Sequence, residues 1–188
     1  ERTVRGPREG FIESLSVNLT LVRRRIRHPS LRFDTHTVGN YTKTDVTIAY
    51  IEDIADPKLV NRIKKRIKDI EVDEINNSGD IEQFIEDHPF SMFPSIGNTE
   101  RPDKVSTMLM EGRVVIFVSG DPVALIAPYL FVESFMNIED YNSRPFYSTL
   151  IRLLRFGAFL ISIVTPALYI SAINFNKALI PSDLIVPI

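Results

Sequence analysis

The chain has 188 residues, of which 44% are hydrophobic, 24% are charged and none is cysteine. This length accommodates one domain with a hydrophobic core and a further segment, and the lack of cysteine excludes disulfides, thiolate metal sites and a cysteine nucleophile. A formal net charge of -2 gives no general basis for nucleic-acid binding, so no nucleic-acid partner is expected.

Residues 1–30 are predicted to form a linker and a helix that lead into a domain. Arg5–Gly10 is rich in glycine, proline and charge, which is typical of a loop. The apolar residues that follow recur at helical spacing: Phe11, Leu15, Leu19, Val22 and Ile26. This helix is expected to end at His28–Pro29, with arginines in its last turn, where they suit the negative end of the helix dipole.

Residues 31–145 are predicted to form an α/β domain with a mixed sheet flanked by helices. Leu31–Val38 is a candidate strand, and Asp45–Ile51 is apolar on both faces, as in a buried central strand. Asp56 and Pro57 are typical of a helix N-cap and first helical residue. The further predicted elements are a short strand (Glu71–Ile75), a helix that starts at the turn Asn76–Gly79, a loop (His88–Asn98), a helix that Thr99 caps and Gly112 ends, a buried strand (Val114–Val118), its hairpin partner (Val123–Ala127) and a helix (Pro128–Met136).

A pre-membrane segment and a transmembrane α-helix are predicted over residues 146–178. The 21 residues from Phe156 to Asn176 carry no charge, and at about 1.5 Å each they can cross a hydrocarbon core of about 30 Å. A buried core helix of a soluble protein is the alternative interpretation. Arg152 and Arg155 precede the span, which places the α/β domain on the cytoplasmic side. Residues 179–188 are interpreted as the start of a further membrane segment that the chain's end truncates, and we expect the parent protein to extend in both directions.

The sequence contains no recognisable catalytic constellation, so we predict that the protein is not an enzyme and needs no cofactor or metal. His28, His36 and His88 lack the spacing of metal ligands. The motifs of a serine nucleophile elbow, a phosphate-binding loop and a dinucleotide fold do not occur. Glu52 and Asp53 are adjacent carboxylates at a strand end, where α/β sheets often place catalytic groups. Since nothing nearby completes a site, a solvated loop is the favoured interpretation.

Two basic runs lie on predicted helices, Arg23–Arg27 and Arg62–Lys68. Basic helix faces near a membrane bind anionic lipid headgroups, but most such faces are simply solvated. The two basic runs are therefore interpreted as solvated faces. Membrane lipids are expected partners of the predicted transmembrane helix.

Several segments resemble the A subunits of the GerA-type spore germinant receptors. They occur in the expected order along nearly the whole chain: Val4–Phe11, Leu21–Arg25, Thr44–Val46 with Tyr50–Ile51, Asn98–Asp103, Leu109–Arg113 and Ile180–Pro181. Arg23–Pro29 is also similar to the related stage V sporulation paralogue, whereas Phe93–Pro94 and Asn98–Asp103 favour the receptor type. The turn Ser119–Pro122 departs from the family pattern.

The resemblance implies a multi-pass protein of the spore inner membrane whose soluble region faces the spore core. This chain would hold the second of two N-terminal subdomains and the first transmembrane helix. Such A subunits work with B and C subunits to sense nutrients and trigger ion release. The resemblance also implies a homo-oligomer whose membrane domain forms an ion-conducting pore. The alternative from the residues alone is a membrane-tethered α/β domain that itself senses a small molecule.

Charged residues inside the resembling loops form the first candidate site: Arg5, Arg8, Glu100 and Arg101. Charges flanked by glycine and proline often hold a loop by pairing, so we expect Glu100 to pair with an arginine, either Arg5 or Arg8. The alternative is that Glu100 lies in the first turn of a helix and stabilises its dipole.

A stripe of small and polar residues on the transmembrane helix forms the second candidate site. Its members share one side of a helical wheel: Ala158, Ser162, Thr165, Tyr169, Ala172 and Asn176. Such stripes usually pack against other helices, and a pore lining is the sharper alternative. Pro166 is expected to bend the helix, with Ser162 and Thr165 compensating the carbonyl that it frees.

Overall fold

The computed structural model describes residues 7–87, 91, 93–135 and 145–175. Its contacts divide the chain into two compact units, residues 1–134 and 135–188. The elements in chain order are α1 (Leu15–Arg25), β1 (Leu31–Val38), β2 (Thr44–Ile51), α2 (Pro57–Lys68), α3 (Ser78–Ile85), β3 (Gly97–Thr99), α4 (Pro102–Met110), β4 (Val114–Val118), β5 (Ala124–Ala127), a 3₁₀ helix (Phe131–Phe135) and α5 (Pro145–Phe175).

The strands form one five-stranded sheet in the order β1-β2-β4-β5-β3. The expected class, a sheet flanked by helices and followed by a long apolar helix, is confirmed. The sheet is antiparallel in all four pairs that the structure describes, however, and not mixed. Short turns join β1 to β2 and β4 to β5, and a two-strand hairpin can only be antiparallel.

Helices cover both faces of this sheet. Side chains of β4 alternate between two apolar clusters, so that Ile116 meets α2 and α3, whereas Val115 and Phe117 meet α1 and α4. An antiparallel sheet more often leaves one face to water. Because both faces are covered here, β4 is apolar at every position. It therefore lacks the apolar–polar alternation by which an antiparallel strand can usually be told from a parallel one.

Side chains cap the starts of α2 and α3. The side chain of Asp56 accepts a hydrogen bond from the backbone N of Lys58 at 2.9 Å and caps α2, as predicted. The cap predicted for α4 is wrong by two residues, because Arg101 is the N-cap and Thr99 lies at the end of β3. The end of α4 is predicted correctly, since Gly112 has a φ of 86°, a conformation that favours glycine.

Two predicted elements differ in the structure. Residues 71–75 form no strand; instead, the carbonyls of Val72 and Asp73 each accept a hydrogen bond of 2.9 Å from the β1–β2 turn. The helix predicted over Pro128–Met136 is a 3₁₀ helix, Phe131–Phe135. The segment predicted to lead into the membrane, Ile138–Tyr141, lies outside the described residues.

Helix α5 is long and apolar enough to cross a membrane. The candidate span covers the 26 residues from Phe146 to Ser171, so it begins ten residues before the predicted one, inside the same helix. Within the described part of the chain it is the one helix that meets this criterion. The further membrane segment predicted over residues 179–188 lies outside the described residues.

Candidate functional site

The N-terminal motif docks on the loop that precedes α4. The backbone N of Phe11 donates a hydrogen bond of 2.8 Å to the carbonyl of Glu100, and the Phe11 ring, 6% exposed, meets Phe117 edge-on at 5.2 Å. Arg8 is exposed, and Arg5 lies outside the described residues. The structure therefore brings the two resembling segments together through their backbones, while the predicted pairing of Glu100 with Arg5 or Arg8 stays a prediction.

Arg101 is the buried charge of this loop. Its side chain donates to both carboxylate oxygens of Asp103, with Nε to Oδ1 at 3.1 Å and Nη2 to Oδ2 at 2.7 Å, and the residue is 5% exposed. Burial acts to raise the pKa of Asp103, but the hydrogen bond and charge of Arg101 outweigh it and hold that pKa below its ordinary value. Asp103 is not among the predicted site residues, although an acidic residue in the first turn of a helix, as in Arg101-Pro102-Asp103, is a recognisable signal.

A second arginine fixes the residues that follow the sheet, here called the exit segment (residues 129–134). Arg113 binds both carboxylate oxygens of Glu133, with Nη1 to Oε2 at 2.5 Å and Nη2 to Oε1 at 2.7 Å. It also donates to the carbonyl of Pro128 at 3.1 Å and pairs with Glu111 at 3.1 Å. The Arg113 side chain is 16% exposed and that of Glu133 12%. Arg113 thus ties the exit segment to the start of β4, and a cavity of about 390 Å³ opens beside this pair.

A polar network lies on β1, β2 and α2. The Lys64 ammonium lies 2.6 Å from the Asp34 carboxylate, and the Tyr50 hydroxyl donates to the same carboxylate at 3.0 Å. Partial burial acts to raise the pKa of Asp34, but these two donors lower it overall. Burial, and then the charge of Lys68, lowers the pKa of His36. The network favours a charged Asp34 and a neutral His36.

The adjacent carboxylates predicted to lie in a solvated loop are both engaged. Glu52 pairs with Arg32 at 2.8 Å, and the hydroxyl of Ser30 donates to Asp53. Over the described ranges, no group of three or more His, Asp or Glu side chains is placed to hold a metal ion. Both residues are exposed, which agrees with a solvated loop, and an exposed ion pair of this kind contributes little to stability.

The stripe on α5 lies on a helix whose two sides are both exposed. The Thr165 hydroxyl donates to the carbonyl of Ile161 at 2.7 Å. Pro166 has no N–H group, so the Ser162 carbonyl lacks its usual helical hydrogen bond. The Thr165 hydroxyl therefore bonds the adjacent carbonyl, that of Ile161, and not the carbonyl that Pro166 leaves without a donor. Asn176 and the side chain of Ala172 lie outside the described part of α5.

Curated relatives and a solved structure resemble this chain closely. Spore germination protein KA of Bacillus subtilis (strain 168) is 47% identical over 184 residues, which cover 98% of this chain and 34% of that protein. Spore germination protein GerLA of Bacillus cereus is 42% identical over 98% of this chain and 37% of that protein. The chain therefore spans little more than a third of the length of these relatives.

The solved structure is the N-terminal domain of the A subunit of the Bacillus megaterium spore germinant receptor GerK3. It is 51% identical and superposes with a TM-score of 0.53, covering 65% of this chain and 97% of that chain. The sequence model of the family described as Bacillus/Clostridium GerA spore germination protein matches residues 1–188. A match over every residue shows that the chain belongs to the GerA family of spore germination proteins.

Proposed function

We propose that the chain is the part of a spore germinant receptor A subunit that joins its soluble α/β domain to a first transmembrane helix. The observation that carries this proposal is the family match over residues 1–188, which includes both the sheet domain and the candidate span. The similarity to the N-terminal domain of the GerK3 A subunit supports the same placement.

In this proposal the complete protein is a multi-pass protein of the spore inner membrane. It works with B and C subunits and forms a homo-oligomer whose helices pack through the α5 stripe. The α/β domain lies on the cytoplasmic side, in the spore core, because Arg152 and Arg155 precede the most apolar part of α5. A relative at 45% identity carries the name uncharacterized membrane protein YfkQ, which supports the membrane location.

The proposed activity is nutrient sensing coupled to ion release, without catalysis. Its support is the family match over the whole chain. Two largely buried arginines in the described part of the sheet domain, Arg101 and Arg113, hold loops in place. A domain whose charges fix its geometry suits the transmission of a conformational change.

The test uses spores in which this gene and those of its B and C partners are the only germinant receptor genes retained. We expect such spores to lose optical density and release potassium in response to at least one nutrient of an amino-acid and sugar panel. Deleting this gene should abolish both responses, and the wild-type gene should restore them. Equal responses with and without the gene would refute the proposal.

The second candidate function is a small-molecule sensor within the sheet domain itself. A cavity of about 430 Å³ beside the end of β1 is lined by His36, Lys68 and Glu71 among others. The His36 Nε2 atom is buried and has no hydrogen-bond partner among the described residues. A polar ligand would satisfy this atom, because a buried nitrogen without a partner costs free energy.

Calorimetry separates the two functions. The reconstituted chain is titrated with each nutrient of the panel. The variant His36→Phe serves as the matched control, because it removes the Nε2 atom and keeps a ring at this position. Heat that appears with the wild type and disappears with the variant would support the sensor. Lack of heat with every nutrient would exclude it and leave the receptor proposal untouched.

A further inference from the structure

Four large apolar side chains are exposed on the exit segment and on the loop before β3. The exit segment contributes Leu130, Phe131 and Val132, which are 63%, 36% and 56% exposed, and the loop before β3 contributes Phe93, which is 58% exposed. The rings of Phe93 and Phe131 meet edge-on with centroids 4.9 Å apart. We call these four residues the exit patch.

The polarity of the exit segment is the reverse of that expected in water. Its single charged residue, Glu133, has a side chain that is only 12% exposed and is neutralised by Arg113. The neighbours Leu130 and Val132 are meanwhile more than half exposed. Soluble surfaces rarely turn a carboxylate inward and adjacent apolar side chains outward, so an outward apolar patch of this kind marks a surface that contacts something other than water.

The size of the exit patch argues against another protein as its main occupant. Four side chains at these exposures present roughly a few hundred Å² of apolar surface, whereas a stable protein interface takes about 800 Å² from each partner. A lipid surface has no such requirement, since a few aromatic and aliphatic side chains suffice to partition into the interfacial region.

The chain itself keeps a bilayer within reach, given the proposed function in which α5 spans a membrane. Between Val132 and Phe146, the first residue of the candidate span, the chain can extend at most about 3.5 Å per residue, which limits the tether to roughly 50 Å. Such a tether gives the patch a high effective concentration of membrane surface. We propose that the exit patch inserts into the headgroup region of the bilayer that α5 spans.

The chain lacks cysteine, so one introduced thiol carries the only label. Leu130→Cys and Phe131→Cys, each labelled with bimane, are reconstituted in phosphatidylcholine–phosphatidylglycerol vesicles that contain brominated acyl chains. Tyr41→Cys, at a side chain that is 84% exposed in the β1–β2 turn, is the control for a solvated surface. Ser162→Cys in α5 is the control for insertion of the helix.

We expect brominated lipid to quench bimane at positions 130 and 131 at least twofold, to quench position 162 more strongly and to leave position 41 unchanged. Quenching at 162 without quenching at 130 and 131 would overturn the lipid contact while leaving the proposed function intact. Protection of 130 and 131 from both brominated lipid and aqueous iodide would also overturn it, because the patch would then contact protein. Lack of quenching at 162 would instead overturn the proposed span, and the lipid contact with it.

Discussion

Arg101 and Arg113 each hold a loop of the sheet domain through a bidentate contact with one carboxylate. Planar guanidinium–carboxylate pairs fix geometry as well as charge. Where such a pair is mostly buried, loss of one partner leaves a charge without compensation, which costs more than the pair contributes. Single substitutions at these carboxylates therefore test whether the arginine pairs stabilise the loops.

Replacing Asp103 with asparagine is expected to destabilise the domain by about 2–3 kcal/mol at neutral pH, because the buried Arg101 guanidinium loses this carboxylate charge. The pKa of Asp103 is lower in the folded protein than its ordinary value of 3.8. Its contribution is therefore fully present above that value and is lost as the pH falls through the lower, folded-state pKa. Urea unfolding of both proteins from pH 7 to pH 3 measures the difference, which should shrink with acid.

The matched control for Asp103 is Asp69→Asn, at an exposed carboxylate after α2. This change should alter stability by less than about 0.5 kcal/mol at any pH, as is usual for surface substitutions. Equal effects of the two substitutions would show that the Arg101 pair does not hold the loop.

Glu133 and Glu111 both contact Arg113, and they differ in exposure. The side chains are 12% and 39% exposed, so solvent screens the second pair far more. We expect Glu133→Gln to cost about 2 kcal/mol and Glu111→Gln under about 1 kcal/mol. Chemical denaturation measures both values, and limited proteolysis should cut the exit segment faster only in Glu133→Gln. The reverse order of stabilities would contradict the role assigned to Glu133.

At the scale of elements, the sequence predicts what local chemistry determines. The Asp56–Pro57 start of α2, the end of α4 at Gly112 and the apolar run of β4 are all confirmed. The three-residue strand β3 carries too short a pattern to predict, yet it forms one edge of the sheet. The strand-like residues 71–75 lie instead against the β1–β2 turn, a tertiary contact that no local pattern encodes.

Two glycines with left-handed backbone distinguish two costs of replacing glycine by alanine, backbone strain and a steric clash. Gly112 has a φ of 86°, and a Cβ there would lie 2.9 Å from the carbonyl oxygen of Ile54. Gly120 has a φ of 89°, and a Cβ there would meet nothing within 4 Å. We expect Gly120→Ala to cost about 1 kcal/mol from the backbone alone and Gly112→Ala about 2–3 kcal/mol, because the clash adds to it. Thermal unfolding of the two variants tests this, and equal losses would exclude the packing contribution.

At the scale of the whole molecule, the division into a sheet domain and a long apolar helix is visible in the sequence, whereas most site geometry is not. Arg101 is recognisable as a candidate, but its burial and its bond to Asp103 depend on how α4 packs. The exit patch escapes prediction because an apolar run such as 130–132 is expected to lie inside a protein. The exposure of Leu130 and Val132, together with the inward position of Glu133, becomes visible only in the structure.

The final prediction concerns the stripe on α5 in the complete protein. Small residues and hydroxyls on a membrane helix allow other helices to approach closely and find hydrogen-bond partners there. Ser162 and Tyr169 belong to that stripe, while Ile163 and Leu168 lie on the apolar side. We expect the stripe to pack against other helices, so that Ser162→Cys and Tyr169→Cys react with a lipid-phase thiol probe at least fivefold more slowly than Ile163→Cys.

Leu168→Cys is the second control on the lipid-facing side. It lies next to Tyr169, and because a helix rises about 1.5 Å per residue, the two positions have nearly the same depth in the bilayer. A difference between them therefore reflects the side of the helix and not its depth. Comparable rates at 168 and 169 would show that the stripe faces lipid and would refute packing. Protection from the lipid-phase probe has two explanations, because a stripe can face another helix or an aqueous pore. A water-soluble thiol reagent distinguishes them: labelling at 162 and 169 indicates a pore lining, whereas protection from both reagents indicates a packed interface.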